Sequence, residues 1–246
     1  MTLVLLPGMD GSASLFEPFI AALGNEFPVV KVAYPNVGAL GYVELEALAR
    51  AALPAGPYVL LGESFSGPIA ISLAASAPDQ LKGLVLCCTF ARNPRPFFSG
   101  LRPLVGFLPL AFAPVSVLGR LLLGRFSTHA LRSALAQATA QVSASALRAR
   151  LQAVLGADVS AKLSAVRVPV LYLRASQDLV VPASASRLAV QLNPRIEVVE
   201  LEAPHFLLQA VPSESAKVVA AFVRDVTDRR IGATACSPSS GDQVRR

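Results

Sequence analysis

Six short apolar runs limit the fold of this chain more than any other feature. They read TLVLL, PVVKVAY, YVLL, GLVLCCT, PVLYLR and IEVVEL. Each run is continuous rather than alternating in polarity, which is typical of parallel strands that are covered on both faces. Helix-like stretches separate most of the runs, and this alternation predicts right-handed βαβ crossovers. We therefore expect an α/β fold with a six-stranded parallel sheet and helices on both of its faces.

The alternation stops between the runs CCTF and PVLYLR, where prolines and phenylalanines precede two helical patterns, HALRSALAQATA and SALRARLQAVL. Structureless loops of that length are uncommon in compact domains, so we expect a helical cap over the carboxyl edge of the sheet. The predicted core comprises residues 1–91 and 158–226, and the predicted cap comprises residues 92–157. Residues 227–246 lack apolar periodicity, and we expect a disordered tail there.

The composition is typical of a folded globular protein. Hydrophobic residues make up 53% of the 246 residues and charged residues 15%, which excludes disorder over most of the chain. Three cysteines, two of them adjacent in an apolar run, fit neither a disulfide framework nor a metal site, so we expect no metal and a cytoplasmic location. The start, MTLVLLPG, lacks the features of a signal peptide. The longest uncharged stretch, Pro103 to Gly119, is too short and too rich in proline to span a membrane.

One strand-to-helix junction carries a serine within the sequence GESFSG. Ser64 follows the run YVLL and precedes a helix that begins near Pro68. The spacing approaches Gly-x-Ser-x-Gly, a nucleophile motif of hydrolases, but Ser66 stands where the second glycine belongs and Gly67 follows it. A serine on such a turn lies at the carboxyl edge of the sheet, where open α/β folds bind ligands. An ordinary glycine-rich connection is the alternative.

A base and an acid follow two other predicted strands at the same edge. His205 follows the last strand in LEAPHFLLQ, whereas His129 falls within a helical pattern of the cap. Asp178 follows the fifth strand in RASQDLVVP, and no Asp or Glu occurs from residue 80 through residue 157 to replace it. The chain order Ser, Asp, His is that of α/β-hydrolase triads. We therefore predict that His205 is the base for Ser64 and that Asp178 orients its ring.

Backbone N–H groups near the serine would stabilise an oxyanion. The candidates are the N–H of Phe65, directly after the serine, and that of Met9, in the loop LLPGMDGSASLFEPF after the first strand. Gly8 and Gly11 would let this loop approach Ser64, although the same glycines also suit an ordinary turn into the next helix.

These motifs resemble those of the α/β-hydrolase superfamily, in its small, lid-bearing serine esterase branch. The resemblance covers about residues 2 to 225 and rests on LLPGMDG, GESFSG, QDLVVP and APHFLLQ. It implies a minimal α/β-hydrolase fold with a Ser-His-Asp triad at Ser64, His205 and Asp178. Two positions depart from the pattern, because Pro7 stands in place of the usual histidine before Gly8 and Ser66 replaces a glycine.

The activity that the resemblance implies is that of a serine carboxylesterase, which forms an acyl-enzyme and needs no cofactor. Thioesterase, lysophospholipase, carrier-linked acyl ester hydrolase, C–C hydrolase and cofactor-free perhydrolase are alternatives on the same fold. A non-catalytic binding protein of this fold is an alternative of a different class, although such proteins typically lose a member of the triad, and here all three are present.

The cap region is basic. From residue 80 through residue 157 there are nine basic residues and no acidic one, in a chain of net charge +6. A positive rim would attract an acidic carrier protein or an anionic membrane surface, whereas scattered solvated charges are the alternative. The organisation and charge of the cap are similar to those of the pimeloyl-acyl-carrier-protein methyl ester esterases. No nucleic-acid-binding motif accompanies these residues, so we expect no nucleic acid partner. The basic residues are Lys82, Arg92, Arg95, Arg102, Arg120, Arg125, Arg132, Arg148 and Arg150.

Four phenylalanines of the cap are candidates to line a pocket for the acyl chain of a small-molecule ester. The alternative is that they form the apolar core of the cap itself. They are Phe97, Phe98, Phe107 and Phe112.

Overall fold

The computed structural model describes residues 1–107 and 115–235. Its centre is a six-stranded sheet in which every neighbouring pair of strands is parallel. The strands are β1 Thr2–Leu6, β2 Val29–Lys31, β3 Tyr58–Glu63, β4 Leu81–Cys87, β5 Val170–Ala175 and β6 Ile196–Leu201. They are arranged in the order β2-β1-β3-β4-β5-β6. The predicted six-stranded parallel sheet is therefore confirmed.

Ten α-helices accompany the sheet within the described ranges. Seven belong to the core: α1 Glu17–Leu23, α2 Tyr42–Ala51, α3 Gly67–Ala75, α7 Ser160–Ala165, α8 Ala183–Leu192, α9 Leu207–Ala210 and α10 Pro212–Ala235. Three lie between β4 and β5: α4 Val115–Leu123, α5 His129–Ala140 and α6 Ala144–Leu155. None of these helices is long and apolar enough to cross a membrane.

Each face of the sheet carries its own apolar layer. On one face Leu60 of β3 packs in a cluster with Ile69 of α3. On the other face Leu61 packs in a cluster with Phe19 of α1 and Val223 of α10. Successive side chains of a strand point to opposite faces, so these neighbouring leucines are buried in different layers. This double burial explains why the four central strands are continuous apolar runs, whereas the edge strands β2 and β6 are more exposed.

The order of the strands creates a crevice beside β1. The chain passes from β1 outward to β2 and then returns to β3 on the other side of β1. The connections that leave β1 and β3 therefore diverge at the carboxyl edge of the sheet, and such a switch point is where open α/β folds bind ligands. The loop after β1 and the turn around Ser64 border this crevice.

The cap leaves and rejoins the core at a single place. An isolated antiparallel bridge pairs Arg92 with Asp158. Next to it, the N–H of Val159 donates to the carbonyl of Ala91 over 2.7 Å. Besides α4 to α6, the cap contains a 3-10 helical stretch at Pro96–Phe107.

The last helix extends further than the sequence pattern suggests. Helix α10 ends at Ala235, and the hydroxyl of Thr227 donates to the carbonyl of Val223 over 2.7 Å. Residues 227–235 are therefore helical, which corrects the expected start of the tail. An established helix gains one backbone hydrogen bond for each residue that it adds, so it continues past the last apolar position of the pattern. The rest of the expected tail, residues 236–246, lies outside the described residues.

Candidate active site

The turn between β3 and α3 holds Ser64 in a strained conformation. Strand β3 ends at Glu63, a short 3-10 turn covers Ser64–Ser66, and α3 begins at Gly67. The φ angle of Ser64 is +47°, in the left-handed region that residues other than glycine rarely adopt. The hydroxyl of Thr89, beyond the end of β4, donates to the carbonyl of Ser64. The turn is therefore held from two adjacent strands.

Two glycines flank this turn because neighbouring atoms leave no room for a side chain. A Cβ atom at position 62 would lie 2.7 Å from the Cβ of Ala70. A Cβ atom at position 67 would lie 1.9 Å from the hydroxyl oxygen of Thr89. Gly62 and Gly67 are thus positions where a side chain would collide with its neighbours, whereas position 66 accommodates a serine.

The Ser66 hydroxyl joins this turn to the loop after β1. It donates to the carbonyl of Pro7 and lies 2.8 Å from the hydroxyl oxygen of Tyr34. Ser66 itself is fully buried. The two departures from the family pattern, at positions 7 and 66, are therefore in direct contact with each other.

The three predicted side chains of the triad come together at the carboxyl edge. The Ser64 Oγ lies 2.8 Å from the His205 Nε2, and the His205 Nδ1 lies 2.8 Å from the Asp178 Oδ2. The other carboxylate oxygen of Asp178 accepts the N–H groups of Val180 and Val181, each over 2.8 Å. The His205 and Asp178 side chains are 3% and 4% exposed. The acid is therefore fixed by its own loop and aligned with the imidazole.

The loop after β1 forms a tight turn beside Ser64. The N–H of Gly11 donates to the carbonyl of Gly8 over 3.0 Å, and the φ angle of Gly11 is +70°. Met9 lies inside this turn, and its N–H donates to no acceptor among the described residues. Phe65 follows the serine, and its ring stacks on that of Tyr42 with 4.9 Å between centroids. Both predicted oxyanion donors therefore belong to well-anchored segments.

A family model of the alpha/beta hydrolases matches residues 3–222. The chain belongs to the alpha/beta hydrolase family. None of the curated proteins matches it. Among solved structures it is similar to a thermophilic esterase from Thermogutta terrifontis, with 20% identity, a TM-score of 0.79, and coverage of 92% of this chain and 90% of that one.

Two further solved structures resemble this hydrolase. A carboxylesterase of the thaumarchaeon Nitrososphaera gargenis has 17% identity and a TM-score of 0.79, with 93% of this chain and 91% of that chain covered. The enol-lactonase from Burkholderia xenovorans LB400 has 20% identity and a TM-score of 0.73, with 91% of each chain covered. At these identities the likeness shows the fold, and both the predicted fold and the predicted family are confirmed.

A buried carboxyl group, that of Glu63, directly precedes Ser64 in this hydrolase, and its burial could not be inferred from the sequence. Glu63 is 6% exposed, and its Oε1 accepts the side-chain amide of Gln209 over 2.9 Å. Burial raises the pKa of Glu63 to about 7, and the charge of Asp10 adds to the rise, while the Gln209 hydrogen bond and His205 oppose it. Glu63 thus titrates near neutral pH directly beside the candidate site.

The cap contacts the loops that carry the acid and the base. The Arg95 guanidinium donates to the carbonyls of Leu179 and Val180, over 2.8 and 3.3 Å. The N–H of Phe206, next to His205, donates to the carbonyl of Leu122 at the end of α4 over 3.1 Å. The cap therefore holds the two loops that carry Asp178 and His205.

Several basic residues of the cap have partners inside the molecule. Arg95 holds the acid loop, Arg125 pairs with Glu202, and Arg150 is 1% exposed. Arg150 is therefore no part of a basic surface, because it is buried against the core. Arg102, Arg120 and other basic residues lie on the outside.

The predicted pocket phenylalanines are placed differently from the expectation where the structure describes them. Phe97 is 91% exposed and Phe98 is 46% exposed, with their rings edge to face at 5.6 Å. A short apolar run has no clear periodicity, so its buried face could not be inferred from the sequence. The side chain of Phe107 and all of Phe112 lie outside the described part of the chain. Among the described residues, no group of three or more His, Cys, Asp and Glu is placed to hold a metal ion.

Proposed function

We propose that this hydrolase is a serine carboxylesterase that cleaves acyl esters through an acyl-enzyme intermediate. The observation that carries the proposal is the continuous chain of hydrogen bonds from Ser64 through His205 to Asp178, with 2.8 Å at each step. A serine within hydrogen-bond reach of a base that is itself oriented by a carboxylate is the arrangement that activates a hydroxyl nucleophile. The strained turn at Ser64 presents this hydroxyl at the crevice.

The mechanism follows from this alignment. Ser64 attacks the ester carbonyl while His205 accepts its proton at Nε2, and Asp178 stabilises the imidazolium that forms. His205 then protonates the departing alkoxide. Water, activated by the same imidazole, hydrolyses the acyl-enzyme and restores the free serine.

The tetrahedral intermediates carry a negative oxygen, which the N–H groups of Met9 and Phe65 would stabilise. Such donors are worth roughly 3 to 4 kcal/mol each where they have been measured. The free N–H of Met9 and the position of Phe65 directly after the serine support this assignment.

The structural neighbours agree with ester hydrolysis. Two are an esterase and a carboxylesterase, and a third is an enol-lactonase. A lactone is a cyclic ester, so all three names refer to cleavage of the same kind of bond. These three names support an ester as the substrate.

Covalent labelling tests the proposal. A fluorophosphonate probe should modify Ser64 in the folded protein, as mapped by mass spectrometry, and p-nitrophenyl esters of graded chain length should be hydrolysed. Ser64→Ala should abolish both. Ser176→Ala is the matched control, because Ser176 is an exposed serine at the same edge and should leave both unchanged. A wild-type protein that stays unlabelled and hydrolyses no ester would contradict the proposal.

We also propose that an acidic carrier protein delivers the acyl ester to the cap. Exposed apolar side chains lie close in sequence to exposed arginines there, in a region without carboxylates. Such a mixed surface suits an acidic partner that presents an apolar acyl chain. The exposed apolar residues are Phe97, Phe98, Leu104, Val117 and Leu121.

A further inference from the structure

Oxyanion donors stabilise charge only when their direction is fixed before the reaction begins. One donor of the proposed mechanism is the N–H of Met9. It lies within the turn from Gly8 to Gly11, which we call the oxyanion turn. The direction of this N–H depends on how the peptide planes of the turn are held. The anchors of the oxyanion turn therefore matter for catalysis.

Three anchors of the oxyanion turn come from the core. Before it, the carbonyl of Pro7 accepts the Ser66 hydroxyl. Across it, the N–H of Gly11 donates to the carbonyl of Gly8. After it, the carbonyl of Gly11 accepts the N–H of Tyr34 over 2.9 Å. These bonds fix both ends of the turn and leave the peptide between Met9 and Asp10 to be held from elsewhere.

Arg150, on helix α6 of the cap, holds that peptide. One guanidinium nitrogen donates to the carbonyl of Met9 and another to the carbonyl of Pro35, each over 2.8 Å. The guanidinium carbon lies 5.9 Å from the centre of the Tyr34 ring. A planar fork of donors suits two carbonyls that must keep a fixed separation. Arg150 thus bridges the oxyanion turn and the segment after β2.

The fit between Arg150 and the turn is close. Arg150 is 1% exposed, and a Cβ atom at position 11 would lie 2.6 Å from its Nη1. Burial of a guanidinium is costly unless its donors are satisfied, so this side chain is committed to its carbonyl partners. Gly11 leaves the space that the guanidinium fills.

We infer that Arg150 is a positioning residue for the oxyanion hole. It fixes the carbonyl of Met9, while the Gly11 N–H holds the Gly8–Met9 peptide that carries the Met9 N–H. Together the two contacts keep the oxyanion turn in the orientation that points this N–H at the site of the developing charge. The inference rests on the proposed function, since it concerns the same donor. It also means that the oxyanion hole is complete only when α6 is docked on the core.

Steady-state kinetics on Arg150→Met and Arg150→Lys test the inference. Loss of positioning should weaken binding of the transition state more than binding of the substrate. We expect kcat of Arg150→Met to fall about 10- to 100-fold, less than the ~10²- to 10³-fold of losing a donor outright, with KM changed by less than about threefold. Arg150→Lys retains one donor and should recover part of kcat. Arg187→Met is the matched control, because Arg187 is an exposed arginine of α8 in the core and should leave kcat unchanged.

Two further readouts separate positioning from a merely structural role. Exhaustive labelling with the fluorophosphonate counts the competent sites, so that kcat is expressed per labelled Ser64, and thermal unfolding reports the folded fraction. Lower kcat per labelled site, with slower labelling, supports the inference. An unchanged kcat per site in both Arg150 variants overturns it, even if the melting temperature falls. Should Arg150→Met not fold, Arg150→Lys alone decides. A wild-type protein that is neither labelled nor active instead contradicts the proposed function itself.

Discussion

Ser66, Tyr34 and Pro7 form a buried group of hydrogen bonds that joins the serine turn to the oxyanion turn. The serine hydroxyl both donates to the Pro7 carbonyl and contacts the tyrosine hydroxyl. Each partner would be left unsatisfied in a dry environment if the serine were removed. A position that usually holds glycine has thereby become a link between the nucleophile and the loop that stabilises charge.

Removing this link should destabilise the protein measurably. We expect Ser66→Ala to lower the free energy of unfolding by about 1 to 3 kcal/mol, because two buried polar groups lose a partner. Urea unfolding followed by circular dichroism measures the change. Ser164→Ala, at an exposed serine of α7, should stay within about 0.5 kcal/mol of the wild type. An equally small effect of Ser66→Ala would show that the link adds nothing to stability.

The raised pKa of Glu63 makes stability depend on pH. Its folded pKa of about 7 exceeds its ordinary value of 4.5, so the folded state binds the proton more tightly. Stability should therefore fall as pH rises from 4.5 to 7, by up to ~3 kcal/mol at 1.36 kcal/mol per pKa unit. Glu63→Gln should remove this fall, matching the wild type near pH 4 and exceeding its stability at pH 8.

Unfolding measured from pH 4 to pH 8 checks this prediction. The control is Glu197→Gln, at an exposed residue of β6, which should follow the wild-type curve. Parallel curves for wild type and Glu63→Gln would show that Glu63 titrates alike in the folded and unfolded chains.

The three residues of the proposed triad could be predicted from the sequence, whereas the buried residues around them could not. Ser64, Asp178 and His205 each follow a strand, and parallel strands end at one edge, so their meeting could be anticipated. Arg150 and Glu63 could not be assigned in the same way. Their importance lies in burial against partners distant in the chain, and a charged residue in an amphipathic pattern is ordinarily solvated.

At the scale of elements, the packing of α3 against the core fixes the position of Ser64. At Gly67, the first residue of α3, the side chain of Thr89 fills the space where a Cβ atom would be. The predicted strands and helices are confirmed, because the pattern of apolar residues that predicts each of them lies within its own segment. The length of α10 could not be predicted in this way, since a helix can extend beyond the last apolar residue of its pattern.

Gly67→Ala should disturb this packing. Because the added Cβ would lie 1.9 Å from the Thr89 hydroxyl, α3 or the segment after β4 that carries Thr89 must shift. We expect a loss of about 1 to 3 kcal/mol in the free energy of unfolding together with a fall in kcat. Thermal unfolding and ester hydrolysis measure the two effects. Gly56→Ala is the control, since no atom lies within 4 Å of its added Cβ. A Gly67→Ala protein with wild-type stability would contradict the close approach.

At the scale of the whole molecule, the cap contacts the candidate site on one side and faces outward on the other. Its inner side reaches the acid loop through Arg95, the base loop through Leu122 and the oxyanion turn through Arg150. Its outer side carries arginines and apolar residues. A partner that binds the outer side of the cap would therefore contact the same element that holds the loops of the candidate site.

The proposed acidic carrier predicts a difference between two substrates. Hydrolysis of a carrier-bound ester should weaken as salt rises, because screening reduces attraction between opposite charges, whereas hydrolysis of a free p-nitrophenyl ester should not. Arg120→Glu should lower kcat/KM for the carrier-bound ester by about tenfold and leave the free ester unchanged. Arg187→Glu, on α8 of the core, is the matched charge reversal. Equal salt dependence for both substrates would contradict the carrier, and stimulation by anionic vesicles would indicate a lipid surface instead.

The two ends of the cap lie next to each other, so the cap could be replaced without moving the strands of the core. Because the chain departs at Ala91 and returns at Val159 within one hydrogen bond, a foreign cap spliced between these residues would not alter the register of the sheet. Substrate range could thus diverge by replacing this one segment while the sheet is inherited intact. A replacement cap would still need a hydrogen-bond donor for the carbonyl of Met9. We therefore expect working replacements to carry a basic residue at the position of Arg150.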